Sequence, residues 1–474
     1  MNDENHKRRD RRRGKILVGL VIVVLLAAVI VLLGLLATSI MERRWEAQRP
    51  VLVLKPIARW QTDNAAWEVN YPVEYQTFLQ TRDSTTRTRY GGSFPRDYLE
   101  DDPRQVVLFA GYGFSKEYRQ ARGHYHAIED VTNTKRIKPD FNAATCWTCK
   151  GPDVPRLMEK MGPAGFYAAN FHDLKTEIKH PVGCLDCHDP NTMALRITRP
   201  ALVEAFTAMG KDISKATHQE MRSLVCAQCH VEYYFKAKPK NYLAFPWAKG
   251  TSVEAMYEYY QDANFADWTH PVSGTPMVKA QHPDYELWLT GVHAYRQVSC
   301  ADCHMPYRSE GGVKYTNHHV QSPLLNIAES CGVCHRWSEQ EIRTRVEGIQ
   351  KKVADARIRA EDAIVAGHFD IAACVQAKAS DESLTEARQL LRRGQFFWDF
   401  TAASNGMGFH SPQEAMRILS RATQDAQQAR LLCARILAAK SVTAAPNYPE
   451  INTREKARAV GQKFIEKDPP KLLP

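Results

Sequence analysis

The hydrophobic and polar positions divide the chain into three stretches of different texture. Residues Ile16 to Ile40 form 25 uncharged, mostly apolar positions without interruption. At about 1.5 Å per residue, such a run exceeds a hydrocarbon core of roughly 30 Å and predicts a membrane-spanning helix. From about residue 61 to residue 335 there is little sustained periodicity, and Pro, Gly, Tyr and Trp are frequent. That texture predicts short helices and wrapping loops around something other than an ordinary side-chain core. From Ser338 to about Lys440 a helical period returns. Ile342, Val346, Ile349, Val353 and Ile358 recur at roughly helical spacing, as do the apolar positions between Met416 and Ala439. Helices this long and this apolar on one face are expected to pack on the preceding lobe and on a partner subunit; a monomeric helical cap is the alternative.

Charge sharpens the reading of the first stretch. The formal net charge is +10, but Lys7, Arg8, Arg9, Arg11, Arg12, Arg13 and Lys15 crowd one short tail. Beside an apolar span, that tail sets the orientation: tail in the cytoplasm, everything after Met41 outside. A nucleic-acid role for the tail is set aside for that reason. A cleaved signal peptide is the rival, with an apolar region of about 7–15 residues and a small-residue cleavage site. Here the run is longer and ends in Ile40-Met41-Glu42-Arg43-Arg44. The expected organisation is a basic tail over 1–15, a transmembrane anchor over 16–40, a tether over 41–60, a lobe over 61–335 and a helical region over 336–474.

The chemistry comes from the cysteines. Ten of the twelve fall into five CxxC pairs: Cys146/Cys149, Cys184/Cys187, Cys226/Cys229, Cys300/Cys303 and Cys331/Cys334. Four pairs are followed at once by histidine (His188, His230, His304, His335) and the remaining one by Lys150. For a chain with 17 His, four of five by chance has odds on the order of 10⁻⁵. The pattern is that of covalent haem attachment. Thiols at i and i+3 add to the two vinyl groups, and the next residue lies under the iron as axial ligand. Five haem c groups are therefore expected, one of them ligated by lysine. Structural zinc uses CxxC pairs in couples, and five is odd. A thioredoxin-like motif would occur once, in a βαβ pattern that is absent here. The first cysteines lie 38, 42, 74 and 31 residues apart, so the motifs are no simple repeat and the stretch between Cys229 and Cys300 holds something more. Cys374 and Cys433 stand alone on helical stretches and read as buried free thiols.

A haem with histidine on both faces is saturated and passes electrons; one with an open face binds substrate. Four CxxCH motifs need four further histidines, and His124, His126, His282, His293, His318, His319 and His410 are available. Counting does not choose among them. A lysine amine binds iron only when deprotonated and buried, a cost that marks Lys150 as a special site.

The segments "CWTCK", "CAQCHVEYYF" and "MVKAQHPDYE", together with "FSKEYRQARGHYHAIEDV", "CADCHMP", "YTNH" and "GFHSP", resemble those of the pentahaem cytochrome c nitrite reductases, the ammonia-forming enzymes of periplasmic respiration. The resemblance covers nearly all of the chain from about residue 61. It implies a mainly α, multihaem cytochrome c fold with haem-wrapping loops and short helices, plus long C-terminal helices. It implies six-electron reduction of nitrite to ammonium at the Lys150 haem, with four bis-histidine haems relaying electrons. In that reading Arg122 points a fixed cation at the open face, and Tyr233 and His282 complete the pocket. His124 is the distal partner of His230, His318 of His188, His293 of His335 and His410 of His304. Glu232, Tyr233, Lys279 and Gln281 match a calcium site, with Tyr233 and Lys279 giving backbone oxygens. A homodimer and an electron donor, a cytochrome or quinol-oxidising membrane partner, are implied as well. The family is mostly soluble, so a retained anchor, with single-pass placement in the cell inner membrane and the catalytic part in the periplasm, is a departure from it.

Nitrite is a small anion, so charge must hold it; Arg122 and a protonated His282 are expected to supply that charge in a low-dielectric cavity. Competing readings are a propionate partner for Arg122, haem packing for Tyr233, a surface place for Glu232 and axial ligation by His282. For the whole chain they are a pure electron carrier with every iron closed, or a related reductase preferring hydroxylamine or sulfite.

Overall fold

One helix, α1 (Asn2–Ala47), runs from the basic tail through the apolar run and into the start of the expected tether. The computed structural model describes residues 2–47, 54–137, 143–310 and 313–473, with the side chains of 2–13 and 45–47 outside that description. Tether residues 48–53 lie outside the described residues. Within the Gly14–Arg44 stretch of α1, an 18-residue window has a mean hydropathy of 3.6 and no buried share.

Contacts divide the chain into two units, Met1–Lys55 with Arg308–Tyr315, and Pro56–Tyr307 with Thr316–Pro474. In the second unit, helices and 3-10 turns between Asn64 and Ser330 run to ten residues at most. Strand is confined to two-stranded pairs, such as Tyr234–Lys236 against Tyr242–Ala244 and Trp268–Thr269 against Pro276–Met277.

The long helices follow: α2 (Glu339–Gln376), α3 (Asp381–Ala403), α4 (Pro412–Ala439) and the shorter α5 (Arg454–Ile465). The texture changes abruptly at Ser338 because a capping box sits there. Glu341 N donates to Ser338 Oγ at 3.3 Å, and Ser338 N donates to the Glu341 carboxylate at 2.9 Å. A short connection returns α3 along α2, and Gly367 lets them close: a Cβ there would sit 2.7 Å from Leu391 Cδ1. Helix α4 then runs beside α2 in the same direction. Gln350 Nε2 donates to Gly406 O at 3.0 Å near its start, and Arg430 Nε donates to Asp370 further along at 2.9 Å.

These helices pack on the motif-bearing part. Gln395 Nε2 donates to Leu108 O at 2.8 Å, Arg392 donates to Pro276 O and Phe265 O, and Trp398 lies 6.0 Å from Phe109 between ring centres. Asn405, just after α3, donates to Asp284, which carries this contact into the functional region.

Candidate active site

Each CxxC pair occupies about one helical turn, which turns residues i and i+3 to the same side. Cys184–Cys187 and Cys300–His304 are short helices, and the 3-10 turn Ala144–Trp147 leads into Cys149 and Lys150. All ten motif cysteines border accessible space, whereas Cys374 and Cys433 are sealed. The fifth motif is set differently from the other four. Cys334 is exposed, while the other nine motif thiols, Cys331 included, are half-buried. The physical reason is its place at the lobe's edge, where the chain leaves for α2: neighbouring Val333 is 66% exposed and Trp337 51%. Attachment through a thioether is a covalent bond and needs no burial, so exposure leaves Cys334 in the expected attachment set. The His230 side chain is 47% accessible, yet burial is the largest influence on its ionisation. Accessible surface within a desolvated interior means an internal void.

The histidines fit a flat metal-centred group in that void. Ring centres are 6.3 Å apart for His188 and His318, 6.3 Å for His304 and His410, and 6.4 Å for His293 and His335. Two metal–nitrogen bonds of about 2 Å, each plus about 1 Å from nitrogen to ring centre, give about 6 Å for imidazoles on opposite sides of one metal. His124 lies close enough to His230 for the two to influence each other's charge. Tautomers are fixed in the ligand form. Nδ1–H donates to Met193 O (2.8 Å) from His188, to Gln321 O (2.9 Å) from His304 and to Thr316 O (2.7 Å) from His318. Each leaves Nε2 free to bind a metal. His230 Nδ1 meets Asp284 at 3.1 Å, and Asn405 in turn holds Asp284. His410 Nδ1 is buried without a partner among the described residues. Burial pushes His124, His304 and His318 down to about 4, so all three are neutral donors at pH 7.

Lys150 has a different surrounding. Its charge is felt at Cys146, Cys149, His124 and His282. His282 and Tyr233 face each other with ring centres 6.4 Å apart. Burial drives the Tyr233 phenol well above its usual value, the Cys149 and Cys146 thiols adding and Arg136 opposing, so Tyr233 is a protonated donor. Burial pushes His282 down to about 3. His230 adds to this and Asp284 opposes it, so burial favours the neutral imidazole over the expected imidazolium.

The turn that carries Lys150 is held from behind. Trp147 stacks on Phe171 at 4.4 Å and donates to its carbonyl at 2.9 Å. Arg199 donates to Thr148 O at 2.8 Å and Gly151 O at 3.0 Å while pairing with buried Asp186 at 2.6 Å. Gly151 is required by close approach, because a Cβ would sit 1.9 Å from His180 O. Gly151→Ala is expected to cost about 1–3 kcal/mol, read as a lower midpoint in denaturant; an unchanged midpoint would show that the backbone yields freely.

The Arg122 guanidinium pairs with Asp130 at 2.6 Å and Glu129 at 2.9 Å. Arg136 is the arginine whose charge acts on Cys146 and Tyr233. It is held by Thr134 Oγ1 at 3.1 Å and lies 4.4 Å over Phe114, and among the described residues no carboxylate pairs with it.

Among the described residues no three His, Cys, Asp or Glu side chains form a metal-binding group. The expected calcium set has one carboxylate, Glu232, which is 0% exposed. Its oxygens accept from Tyr260 Oη at 2.7 Å and Gln281 N at 2.5 Å, and burial drives its carboxyl well above the usual range. Lys279 spends its ammonium on Asp399 at 2.9 Å, while the Gln281 side chain reaches Lys279 O at 3.3 Å. A buried carboxylate that pairs with no cation among the described residues suits a hard divalent ion.

The cytochrome c552 family description matches residues 63–471. The chain belongs to the cytochrome c552 family. Cytochrome c-552 of Parabacteroides distasonis is 49% identical over 437 residues, covering 91% of this chain and 88% of that one. Cytochrome c-552 of Bacteroides fragilis is 48% identical over 441 residues, covering 91% and 89%. The cytochrome c nitrite reductase from Desulfovibrio desulfuricans ATCC 27774 aligns with a TM-score of 0.77 and 33% identity, covering 82% of this chain and 90% of that one. Two calcium sites are described in its catalytic subunit. The chain is thus a mainly α, haem c-bearing oxidoreductase related to the nitrite reductases. Sequence reading missed Asp284, Arg199 and Arg136. Asp284 lies inside "QHPDYE", and Arg136 follows Arg122 by one short helix, Ala127–Asn133. No local pattern announced Arg199.

Proposed function

We propose that this protein reduces nitrite to ammonium at the site around Lys150, with four histidine-paired haems relaying electrons to it. One observation carries the reading. Three of the four CxxCH histidines face a second imidazole at ligand-pair separation and the fourth adjoins His124, whereas the region of Lys150 gathers Tyr233 and neutral His282. Haem, attached through the motif thiols, would supply electron storage and, at Lys150, the iron that takes the substrate. The other roles belong to the chain. Lys150 offers its amine as the ligand. Arg136, with no carboxylate partner among the described residues, draws the anion in and holds it. Tyr233 delivers protons from its hydroxyl, and His282 accepts and passes protons at its ring nitrogens. Supporting the relay, the Cys149 thiol reaches Cys229 and the Cys226 thiol reaches Cys300, so these three attachment motifs abut. Glu232, Gln281 and the carbonyls of Tyr233 and Lys279 would hold calcium, whose charge adds to the field on the anion.

The assignment of the anion to Arg136 in place of Arg122 is tested by paired variants. Arg136→Ala is expected to raise the KM for nitrite roughly tenfold or more, and Arg122→Ala less than about twofold. The reverse order would return the role to Arg122.

The exposed apolar segment of α1 supports a retained single-pass anchor with the haem-bearing part in the periplasm, near a quinol-oxidising donor. After alkaline washing the chain is expected in the membrane fraction with residues 1–15 intact; a mature N-terminus near residue 40 would remove the anchor. Exposed Ile358 on α2 and Leu431 on α4 support a homodimer through these helices.

A further inference from the structure

Cys374 and Cys433 read as isolated thiols in the sequence, but the fold puts them side by side. Cys374 lies near the end of α2 and Cys433 on α4, 59 positions apart. Cys374 Sγ donates to Cys433 O at 3.5 Å, and the two thiols are within hydrogen-bonding reach of each other. Both are 0% exposed.

The other ten cysteines all belong to attachment motifs, so these two are surplus to haem chemistry. A buried residue touches about 6–12 others, so two given positions in a chain of this length meet by chance in only about 2% of cases. We propose that Cys374 and Cys433 form a disulfide that staples α2 to α4. The inference rests on the outward placement proposed above, because disulfides persist in oxidising compartments.

The oxidant is a disulfide-bearing thiol oxidoreductase of that compartment. One thiol of the pair loses its proton and attacks that disulfide, giving a mixed disulfide and one reduced oxidoreductase thiol. The second thiol loses its proton and displaces the oxidoreductase, forming the Cys374–Cys433 bond. Two electrons end on the oxidoreductase dithiol, which takes up the two protons. Because both sulfurs are sealed in the folded chain, the exchange takes place as α4 docks on α2. The finished bond closes a loop of 59 positions and is then out of reach of reductants.

The test uses the purified full-length holoprotein, unfolded in denaturant with a maleimide and then mapped by peptide mass. Without reductant, Cys374 and Cys433 are expected to stay unlabelled and to appear as one linked peptide pair; after a phosphine reductant, both are labelled. Labelling of both without reductant, or a link to any other cysteine, overturns the proposal. Label on motif cysteines reports missing haem instead, so failure of the haem reading is distinguishable. As a second arm, phosphine present during thermal unfolding is expected to lower the wild-type midpoint by several degrees. The midpoint of a Cys374→Ser/Cys433→Ser variant, which keeps nitrite turnover, is expected not to respond. Equal wild-type midpoints with and without phosphine overturn the staple.

Discussion

Replacing Lys150 with alanine is expected to cut nitrite reduction more than about 100-fold while the four histidine-paired haems stay in place. The asymmetry follows from the site. His188, His304 and His318 keep their Nδ1 bonds to backbone carbonyls, none of which involves Lys150. The low-spin spectrum of those centres should therefore survive. What is lost is the amine proposed as iron ligand, at the motif whose surroundings are Tyr233 and His282. Turnover at the wild-type rate in Lys150→Ala would show that chemistry takes place elsewhere. Loss of all haem signals would instead show that Lys150 is needed for folding.

The second large effect is on stability. Arg199→Leu is expected to cost about 3–5 kcal/mol, because it leaves a buried carboxylate without its cation. Arg199 and Asp186 keep side-chain exposures of 2% and 6%, and their ion pair is 2.6 Å long. Burial pushes the Asp186 carboxyl up, and the guanidinium is what keeps it charged. The same guanidinium holds Thr148 O and Gly151 O, so its loss also frees the turn that aims Lys150. Denaturant unfolding measures the cost, and adding Asp186→Leu should recover part of it by removing the orphaned charge. A loss below about 1 kcal/mol in the single variant would mean that water reaches Asp186.

What was legible in the sequence is what local chemistry dictates. Covalent attachment needs two thiols and a ligand within five consecutive residues, so the motifs declare themselves. How deeply each motif is wrapped does not: Cys334 carries the same spacing as the others yet lies exposed where the lobe gives way to α2. The long helices declare themselves through period, and α2 starts where Ser338 and Glu341 form a capping box. Partners across a metal are another matter. His318 meets His188, and His410 meets His304, from segments more than 100 positions away, and spacing carries no trace of that. The resemblance supplied those pairs where counting left them open. Nothing in the sequence shows that the Ala127–Asn133 helix returns Glu129 and Asp130 to Arg122, or that Arg136 has no carboxylate partner among the described residues. His282 reads as cationic because an anion needs charge, whereas its burial favours the neutral ring. Cys374 and Cys433 looked solitary because helix packing, not sequence distance, decides which thiols meet.

The central claim is ammonium formation at the Lys150 site. Its most direct test is to supply the purified holoprotein with nitrite and a reduced dye, counting electrons consumed and ammonium formed while following the spin state of the haems. The account predicts one ammonium and six electrons per nitrite, with a high-spin signal that changes on nitrite addition and is missing in Lys150→Ala. A wholly low-spin spectrum indifferent to nitrite, with no ammonium formed, would contradict it and leave an electron carrier.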